Sequence, residues 1–196
     1  MKEKADGYND GFIIRRASME DVELIYNMML EVYDELEDKS VLVCGDIGYV
    51  RRNINDTGFT LIAYYRGEAS YGDRCTDSDG RNIAVMEPAG IFIFEYPKES
   101  QENLGNDIGL EWEELFKVVH MDTVAVRSRF RGHHLQKRML EEGERQIDKR
   151  QYRYLMATAA PYNKPSLNTF LGCGYRIMKV KEKYGGVQRA ILLKMI

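Results

Sequence analysis

The sequence predicts a single α/β domain built on a mixed β-sheet. Short apolar runs alternate with segments of helical periodicity, which favours helices packed on a sheet. Hydrophobic residues make up 44% of the 196 residues, enough for one sizeable core. No repeat and no Ser- or Pro-rich linker divides residues 11–196. Residues 1–10 are polar, and we expect them to form a flexible N-terminal segment.

The first half of the chain predicts three strands and three helices. Phe12-Ile13-Ile14 is expected to form the first strand. Apolar residues then recur at helical spacing over 19–36, after a capping-box pattern in which Asp21 follows Ser18 by three residues. The other elements expected here are a helix from Asp46 to about Ile54, a strand over Gly58–Tyr65, a long turn over 66–82, a strand over Ile83–Phe94 interrupted at Pro88, a turn at Gly105-Asn106-Asp107 and a short helix over Glu111–Phe116.

The second half predicts four strands and two helices. A strand is expected over Val118–Val126, followed by a turn that contains a glycine and by a helix from about 132 to 149. A strand over Tyr152–Ala159 leads to a helix over Pro165–Leu171, whose proline suits a first helical turn. The last two strands, over Tyr175–Val180 and Val187–Met195, are expected to pair around Tyr184-Gly185-Gly186.

Charge, cysteine spacing and hydropathy exclude several classes of protein. The 28 Lys and Arg against 31 Asp and Glu give a net charge of −3, which lacks the basic footprint of a nucleic-acid-binding domain. Cys44, Cys75 and Cys173 form no CxxC pair, so we expect neither a metal site nor a disulfide framework. No run approaches the ~20 apolar residues of a membrane span, and the polar first residues do not resemble a signal peptide. We therefore expect a soluble cytoplasmic protein.

The most informative segment is a strand that leads through a basic turn into a helix, over Thr123–Gln136. A helix start presents unpaired backbone N–H groups and the positive end of the helix dipole, which together favour an anion, especially phosphate. Residues 127–155 hold nine Lys and Arg against four Asp and Glu, a net charge of +5. Although a basic helix face is commonly only solvated, the strand–glycine–helix context favours a phosphate site.

The same segment resembles a family signature. Val126-x-x-x-Phe130-Arg131-Gly132-x-x-Leu135 is similar to the acyl-CoA signature of the GNAT N-acetyltransferase superfamily. The family pattern is Arg/Gln-x-x-Gly-x-Gly/Ala, and its six positions here read Arg131-Gly132-His133-His134-Leu135-Gln136. The arginine matches, whereas His134 and Gln136 replace the two small residues. The resemblance implies that the backbone of these six residues binds the pyrophosphate of acetyl-CoA, the expected acyl donor.

A second resemblance lies downstream at the family's spacing. Asn163-x-x-Ser166-x-x-x-Phe170-x-x-x-Gly174-Tyr175 is similar to the family's Asn-x-x-Ala-x-x-x-Tyr-x-x-x-Gly-Phe. It implies that Asn163, Ser166 and Phe170 lie along the cofactor. The family's tyrosine often acts as the general acid toward the departing thiolate, but Phe170 has no proton to give. With both motifs in the family's order, the resemblance implies a GNAT-like mixed sheet of about six to seven strands flanked by about four helices.

Acyl transfer to an amine also needs a polarised thioester carbonyl and a base near the amine. The resemblance places Val124, Ala125 and Val126 along the pantetheine. Three residues are candidate catalytic bases: His120 and Asp122, which alternate on one strand face, and Glu95 at the end of the preceding strand. For each of them, an exposed charge, a strand-end cap or an ion pair is the simpler interpretation. Cys173 has no signalled His or Asn partner, so we do not expect it to act as a nucleophile.

Charge is the only clue to the acceptor. Residues 18–46 have a net charge of −8 and residues 95–122 a net charge of −6. These segments border the acceptor cleft in the family, so one hypothesis is an acidic cleft that recruits a cationic amine; the alternative is a solvated helix face. The segments 66–82 and 97–117 exceed tight connections and would cap the acceptor site or form a homodimer contact, for which Leu110, Trp112 and Phe116 are suited.

Three functional hypotheses follow. The first is an acetyl-CoA-dependent N-acyltransferase that acts by direct attack of a primary amine in a ternary complex. The second is a non-catalytic acyl-CoA-binding module of the same fold, suggested by Phe170 and the altered phosphate turn. The third is an α/β domain for another phosphorylated ligand such as a nucleotide, although the chain lacks a Walker motif.

Overall fold

The computed structural model describes residues 11–67 and 85–196, which form a mixed sheet with helices on both faces. The strands are β1 (Phe12–Arg16), β2 (Gly58–Gly67), β3 (Val85–Glu95), β4 (Val118–Val126), β5 (Tyr154–Ala159), β6 (Arg176–Lys183) and β7 (Val187–Met195). The α-helices are α1 (Val22–Asp34), α2 (Ile47–Asn55), α3 (Leu104–Asp107), α4 (Trp112–Leu115), α5 (Leu135–Gln146) and α6 (Lys164–Gly172). Three single 3₁₀ turns lie at Met19–Asp21, Lys39–Val41 and Ser128–Phe130.

The seven strands lie in the order β1-β2-β3-β4-β5-β7-β6. All neighbours are antiparallel except β4 and β5, which are parallel and are joined through α5, as a parallel pair requires. Their pairing covers only Val118–Met121 against Tyr154–Ala157. Beyond these residues the two strands separate at their carboxyl ends. The sheet therefore contains a wedge-shaped gap at its centre.

Each face of the sheet buries its own apolar cluster. On one face α5 and α6 cover Phe92, Phe94 and Met121, with Met139 and Phe170 among the contributing helix residues. On the other face α1 and α2 cover Ile62, Ile91 and Ile93. Alternate residues of β3 thus point to opposite clusters, as the two-residue period of a strand dictates. The helices hold the sheet from both sides and leave the gap between β4 and β5 open.

The expected elements are found, with differences at three places. Pro88 does not interrupt β3, because the pairing with β2 shifts register there and a bulge accommodates the proline. The expected turn at 105–107 is the short helix α3. The helix expected from 132 begins only at Leu135 and ends at Gln146, because Gly132 and His134 adopt positive φ and Ile147 is extended. Residues 1–10 and most of the expected turn over 66–82 lie outside the described residues.

Among residues 11–67 and 85–196, no helix has the length and apolarity needed to cross a membrane. Cys44 and Cys173 are free thiols. Burial raises the pKa of the Cys173 thiol, which opposes the thiolate that a nucleophile requires.

Candidate active site

A cleft of about 1100 Å³ occupies the gap between β4 and β5. Its walls are β4, the turn after β4 and the first turns of α5 and α6. The backbone of β4 remains unpaired on this side after Met121. The Arg127 N–H bonds the Ala89 carbonyl on β3, so by alternation the peptide groups of Val124 and Val126 face the gap. The Val126 carbonyl accepts a hydrogen bond from Arg131 Nε at 3.4 Å. Peptide groups along such an unpaired strand edge are the kind that can bind an extended, amide-containing chain.

The turn after β4 positions the start of α5 against the cleft. Gly132 has φ +88°, a conformation that other residues rarely adopt, and His134 has φ +56°. His134 occupies the position of the signature's first glycine, so it adopts the left-handed conformation that glycine adopts most easily. No side chain caps α5, and none of the N–H groups of residues 132–137 is bonded within the described part of the chain. The helix start is therefore open to an anion.

The cleft collects most of the residues expected along the cofactor. Its lining includes Val124, Val126, Arg131, Gly132, His134, Leu135, Gln136, Asn163, Ser166 and Phe170. Two expected residues lie elsewhere. The side chain of Ala125 is buried on the face of α1 and α2, and the His133 ring packs against Phe12 at 5.1 Å between centroids. Any role for Ala125 or His133 toward a ligand would involve their backbone.

The two helices that flank the cleft are joined across it by residues that depart from the family pattern. Gln136 on α5 donates its amide N–H to the Ser166 hydroxyl on α6, at 3.2 Å. The Asn163 side chain caps α6 by accepting the Ser166 backbone N–H at 3.4 Å. Phe170, one turn further along, is buried and packs edge-on against Tyr175. The position of the expected acid thus has no proton donor of its own.

A bulge in β4 shapes the other end of the cleft. Phe94 pairs with Met121 and Ile93 pairs with Thr123, so Asp122 is the extra residue on β4. Glu95, His120 and Asp122, the three candidate bases, place one ligand atom each within 4.8 Å of one another. The structure therefore brings these candidates together at the branch point of β4 and β5. Their catalytic role remains a prediction.

Asp122 is the most perturbed carboxyl of this cluster. It is accessible from the cleft, but protein surrounds it on its other sides, and this burial raises its pKa. The negative charge of Glu95 raises the pKa further, while the hydrogen bonds from Tyr49 and Thr123 lower it. The Tyr49 hydroxyl of α2 donates to Asp122 and lies 3.3 Å from the Thr123 hydroxyl. Sequence reasoning missed Tyr49, because no local pattern links α2 to the bulge in β4.

His120 is buried and uses both ring nitrogens. Its Nε2 accepts the backbone N–H of Leu104 at 3.0 Å, and its Nδ1 lies 3.5 Å from a carboxylate oxygen of Glu95. A neutral imidazole that accepts at Nε2 carries its proton on Nδ1. A metal ion in the cluster would require a free lone pair on the nitrogen that faces Glu95. The hydrogen bond from Leu104 therefore disfavours a metal ion at this cluster.

A strap over residues 38–42, between α1 and α2, borders the end of the cleft near Asp122. The Ser40 hydroxyl lies 2.5 Å from the Tyr162 hydroxyl on the β5–α6 loop. The buried guanidinium of Arg189 on β7 donates to the carbonyls of Ser40 and Val41, at 2.5 and 3.2 Å. Asp38 of this strap also lines the cleft, together with Glu95, Glu102 and Asp122. This end of the cleft therefore holds four carboxyl groups and one buried arginine, and Lys183 lies 3.7 Å from one of the carboxyl groups, that of Glu102.

The basic turn is partly neutralised by α1. Arg127 forms an ion pair with Glu31 at 2.7 Å, and Arg131 lies 3.9 Å from Glu35. Glu31 in α1 and Glu35 directly after it thus contact the basic turn rather than only solvent. In contrast, Trp112 and Phe116 on α4 are exposed and do not line the cleft, so a capping role for them is not supported.

Neither a family model nor a curated protein sequence matches the chain. Solved structures do match over nearly its whole length. The structure of Arabidopsis thaliana NAA60 in complex with acetyl-CoA matches with a TM-score of 0.67 at 12% identity, over 94% of this chain and 98% of that chain. A chain of the NatC complex bound to Gag peptide and CoA matches with a TM-score of 0.62 at 15% identity, over 94% and 98%.

The ribosomal-protein-S18-alanine N-acetyltransferase from Escherichia coli matches with a TM-score of 0.58 at 11% identity, over 93% of this chain and 91% of that chain. A GNAT acetyltransferase from Streptococcus pneumoniae matches with a TM-score of 0.60 at 16% identity, over 94% and 99%. At these identities the likeness establishes architecture, and the expected mixed sheet is confirmed. The chain has the fold of the GNAT acetyltransferases.

Proposed function

We propose that this protein is an acetyl-CoA-dependent N-acetyltransferase that acetylates a primary amine by direct attack in a ternary complex. The observation that carries the proposal is the continuity of one cleft. The cleft runs from the uncapped start of α5, along the unpaired backbone of β4, to the carboxyl groups of Glu95 and Asp122. A helix start suited to an anion, a strand edge with unpaired backbone and a pair of carboxyl groups thus follow one another along the cleft. The pyrophosphate, the pantetheine and the thioester of acetyl-CoA would lie along them in the same order.

Acetyl-CoA would supply an activated acetyl group. The amides at the start of α5 would bind its pyrophosphate, and a β4 N–H near Val124 would polarise the thioester carbonyl. The amine must lose a proton to form an amide, and Asp122 is the favoured acceptor because its raised pKa lies closer to neutrality. Attack of the neutral amine on the carbonyl carbon forms the C–N bond, and the C–S bond then breaks. With Phe170 at the usual acid position, the thiolate would take its proton from water.

The chemistry of the cleft favours a cationic acceptor. Four carboxyl groups line the end of the cleft where the acceptor would bind, and one of them, Glu102, is paired with Lys183. An ammonium group would be attracted to the other three before it loses its proton. Two of the structural neighbours carry names that specify peptides or proteins: the NatC complex bound to Gag peptide and the ribosomal-protein-S18-alanine N-acetyltransferase. The N-terminal amine of a polypeptide is therefore a second class of acceptor to test beside small polyamines and amino sugars.

A non-catalytic acyl-CoA-binding module is the alternative function. It is favoured by Phe170 and by the two replaced small residues of the signature, His134 and Gln136. The cluster of Glu95, His120 and Asp122 argues for the enzyme, because a binding module has no need of a proton acceptor at the thioester end.

The test is thiol release from acetyl-CoA with a panel of amines at matched concentration. The panel contains a diamine, a polyamine, an amino sugar, short peptides with free N-termini and a neutral amine. We expect CoA release with the cationic amines or the peptides, and little with the neutral amine. Tight acetyl-CoA binding without turnover on any amine would favour the binding module, and equal turnover on all amines would contradict the acidic-cleft hypothesis.

A further inference from the structure

The short helix α3 contacts the catalytic cluster through one backbone group. The Leu104 N–H points at Nε2 of His120, and both residues are buried at 2% and 4% exposure. This amide is at the first position of α3, where a helix leaves its N–H groups without internal partners. The Leu104 N–H, which has no partner within α3, thus donates to the imidazole of His120 on β4.

The neighbourhood of α3 is held by buried polar contacts. The fully buried Asn103 donates to the carbonyls of Lys98 and Leu115, at 2.6 and 3.0 Å. Its Oδ1 accepts the Gly105 N–H at 2.9 Å. These bonds fix the loop on both sides of Leu104, because a buried polar group left without a partner is costly.

Two lysines of β6 fix the other end of α3. The buried carboxylate of Asp107 accepts from Lys181 at 2.6 Å and from Lys183 at 2.8 Å. Burial acts to raise the pKa of Asp107, but the two lysines outweigh it and lower the pKa. These contacts hold α3 against β6 and thereby help to fix the position of the Leu104 amide.

We propose that the backbone N–H of Leu104 fixes His120 as the Nδ1–H tautomer, which makes His120 the positioning residue for Glu95 rather than a proton acceptor. Because Nε2 is occupied as an acceptor, Nδ1 carries the proton, and this nitrogen lies 3.5 Å from a carboxylate oxygen of Glu95. The contact orients the Glu95 carboxylate. The inference rests on the proposed acetyltransferase function. Of the three candidate bases, it assigns proton transfer to Asp122, whereas His120 positions Glu95 and Glu95 acts on the pKa of Asp122.

Four titratable groups face Asp122 and show how the position of Glu95 affects its pKa. They are Tyr49 from α2, Glu95 from β3, His120 from β4 and Tyr184 from the β6–β7 turn. Among them Glu95 raises the pKa of Asp122 by its charge. Holding the Glu95 carboxylate in place beside Asp122 therefore maintains this effect on the pKa of Asp122. The Leu104 amide acts on Asp122 through His120 and Glu95.

The tautomer is measured directly by long-range ¹H–¹⁵N NMR of protein labelled at histidine. The chain has three histidines, so the spectrum holds few imidazole signals to assign. At neutral pH we expect His120 as the Nδ1–H tautomer. An Nε2–H tautomer would overturn the inference, whether or not the protein acetylates any amine. If His120 is the Nδ1–H tautomer but the protein acetylates no amine, the tautomer assignment stands. The catalytic role of His120 and the proposed acetyltransferase function are then both refuted.

A matched pair of variants isolates the amide. Leu104→Pro removes the N–H, and proline suits this first helical position because Asn103 already has ψ 118°. Leu104→Ala removes buried side-chain volume but keeps the N–H. We expect Leu104→Pro to lower kcat about tenfold below Leu104→Ala, with unchanged acetyl-CoA affinity and mixed His120 tautomers. The acidic limb of its pH profile should move to lower pH, as in Glu95→Gln. Equal kcat and equal profiles for the pair would overturn the inference.

A second pair applies if Leu104→Pro does not fold. His120→Asn keeps a donor near the Nδ1 position, whereas His120→Gln keeps an acceptor for the Leu104 N–H and loses the donor toward Glu95. We expect His120→Asn to retain about tenfold more activity than His120→Gln. The reverse order would show that His120 does not act through Glu95.

Discussion

The two ends of the cleft are built in different ways. The cofactor end is local: β4, the turn and the start of α5 are contiguous in sequence, and they offer mainly backbone N–H groups. The acceptor end is assembled from α2, α3, β3, β4 and the strap over residues 38–42, and it offers side chains.

This difference explains which substitutions each end tolerates. Backbone amides bind a phosphate whatever the side chains are, so the turn accommodates His134 and Gln136 in place of small residues. At the acceptor end each group depends on a specific partner, as Asp122 does on Tyr49. We therefore expect substitutions that change the backbone conformation of the turn to lower the affinity for acetyl-CoA. Substitutions that remove a functional group at the acceptor end are expected to lower kcat instead.

The largest effect is expected at Asp122. Asp122→Asn keeps the size of the side chain and removes the proton acceptor, so kcat should fall about 10²–10³-fold while acetyl-CoA affinity stays within about twofold. In the unchanged protein, activity should be lost as pH falls through the raised pKa of Asp122, because only the carboxylate accepts a proton. Amine acetylation across a pH series measures both effects. Full activity of Asp122→Asn would exclude Asp122 as the base.

A purely conformational substitution should weaken the cofactor end. Gly132→Ala forces φ +88° on a residue with a Cβ, at a cost of about 1–2 kcal/mol, so acetyl-CoA affinity should fall about tenfold. Gly172→Ala is the control, because an added Cβ meets nothing there and its φ is not positive. Calorimetric titration compares the two variants. Equal affinities would show that the shape of the turn does not matter for binding.

A smaller effect is expected from Tyr49, the residue that links α2 to the bulge. Tyr49→Phe removes the hydrogen bond that lowers the pKa of Asp122, so the acidic limb of the pH profile should move to higher pH. At neutral pH we expect a loss of about threefold to tenfold in kcat. An unshifted profile would mean that the Tyr49 hydroxyl does not contact Asp122 during the reaction.

The smallest effect on acetylation is expected from an ion pair at the start of α1, which is remote from both ends of the cleft. Arg15 donates to both oxygens of Asp21 at 2.7 and 2.8 Å, which lowers the pKa of Asp21 to about 2. The stabilisation is present above the ordinary pKa of 3.8 and is lost as pH falls toward about 2. Asp21→Asn should lower the free energy of unfolding by about 1–2 kcal/mol at neutral pH and less in acid, without changing acetyl-CoA affinity. Denaturant unfolding at two pH values tests this.

The contrast between a contiguous cofactor end and an acceptor end assembled from distant segments also explains how much of the site could be predicted from the sequence. The β4–turn–α5 segment was predictable, because its signal is a contiguous pattern with known helix-start chemistry. The candidates Glu95, His120 and Asp122 could be named from strand ends and alternation. The bulge at Asp122, the Tyr49 contact and the Leu104 amide could not, since each depends on a register shift or on a contact between distant segments. The roles given to these residues remain predictions.

The central claim is that the turn after β4 and the start of α5 bind acetyl-CoA. Calorimetric titration of the purified protein with acetyl-CoA, with Arg131→Ala and a nucleotide competitor in parallel, tests it most directly. We expect saturable binding of one acetyl-CoA per chain, weakened in Arg131→Ala and displaced by CoA but not by the nucleotide. Absence of binding, or displacement by the nucleotide at equal concentration, would contradict it and leave a different phosphorylated ligand for this cleft.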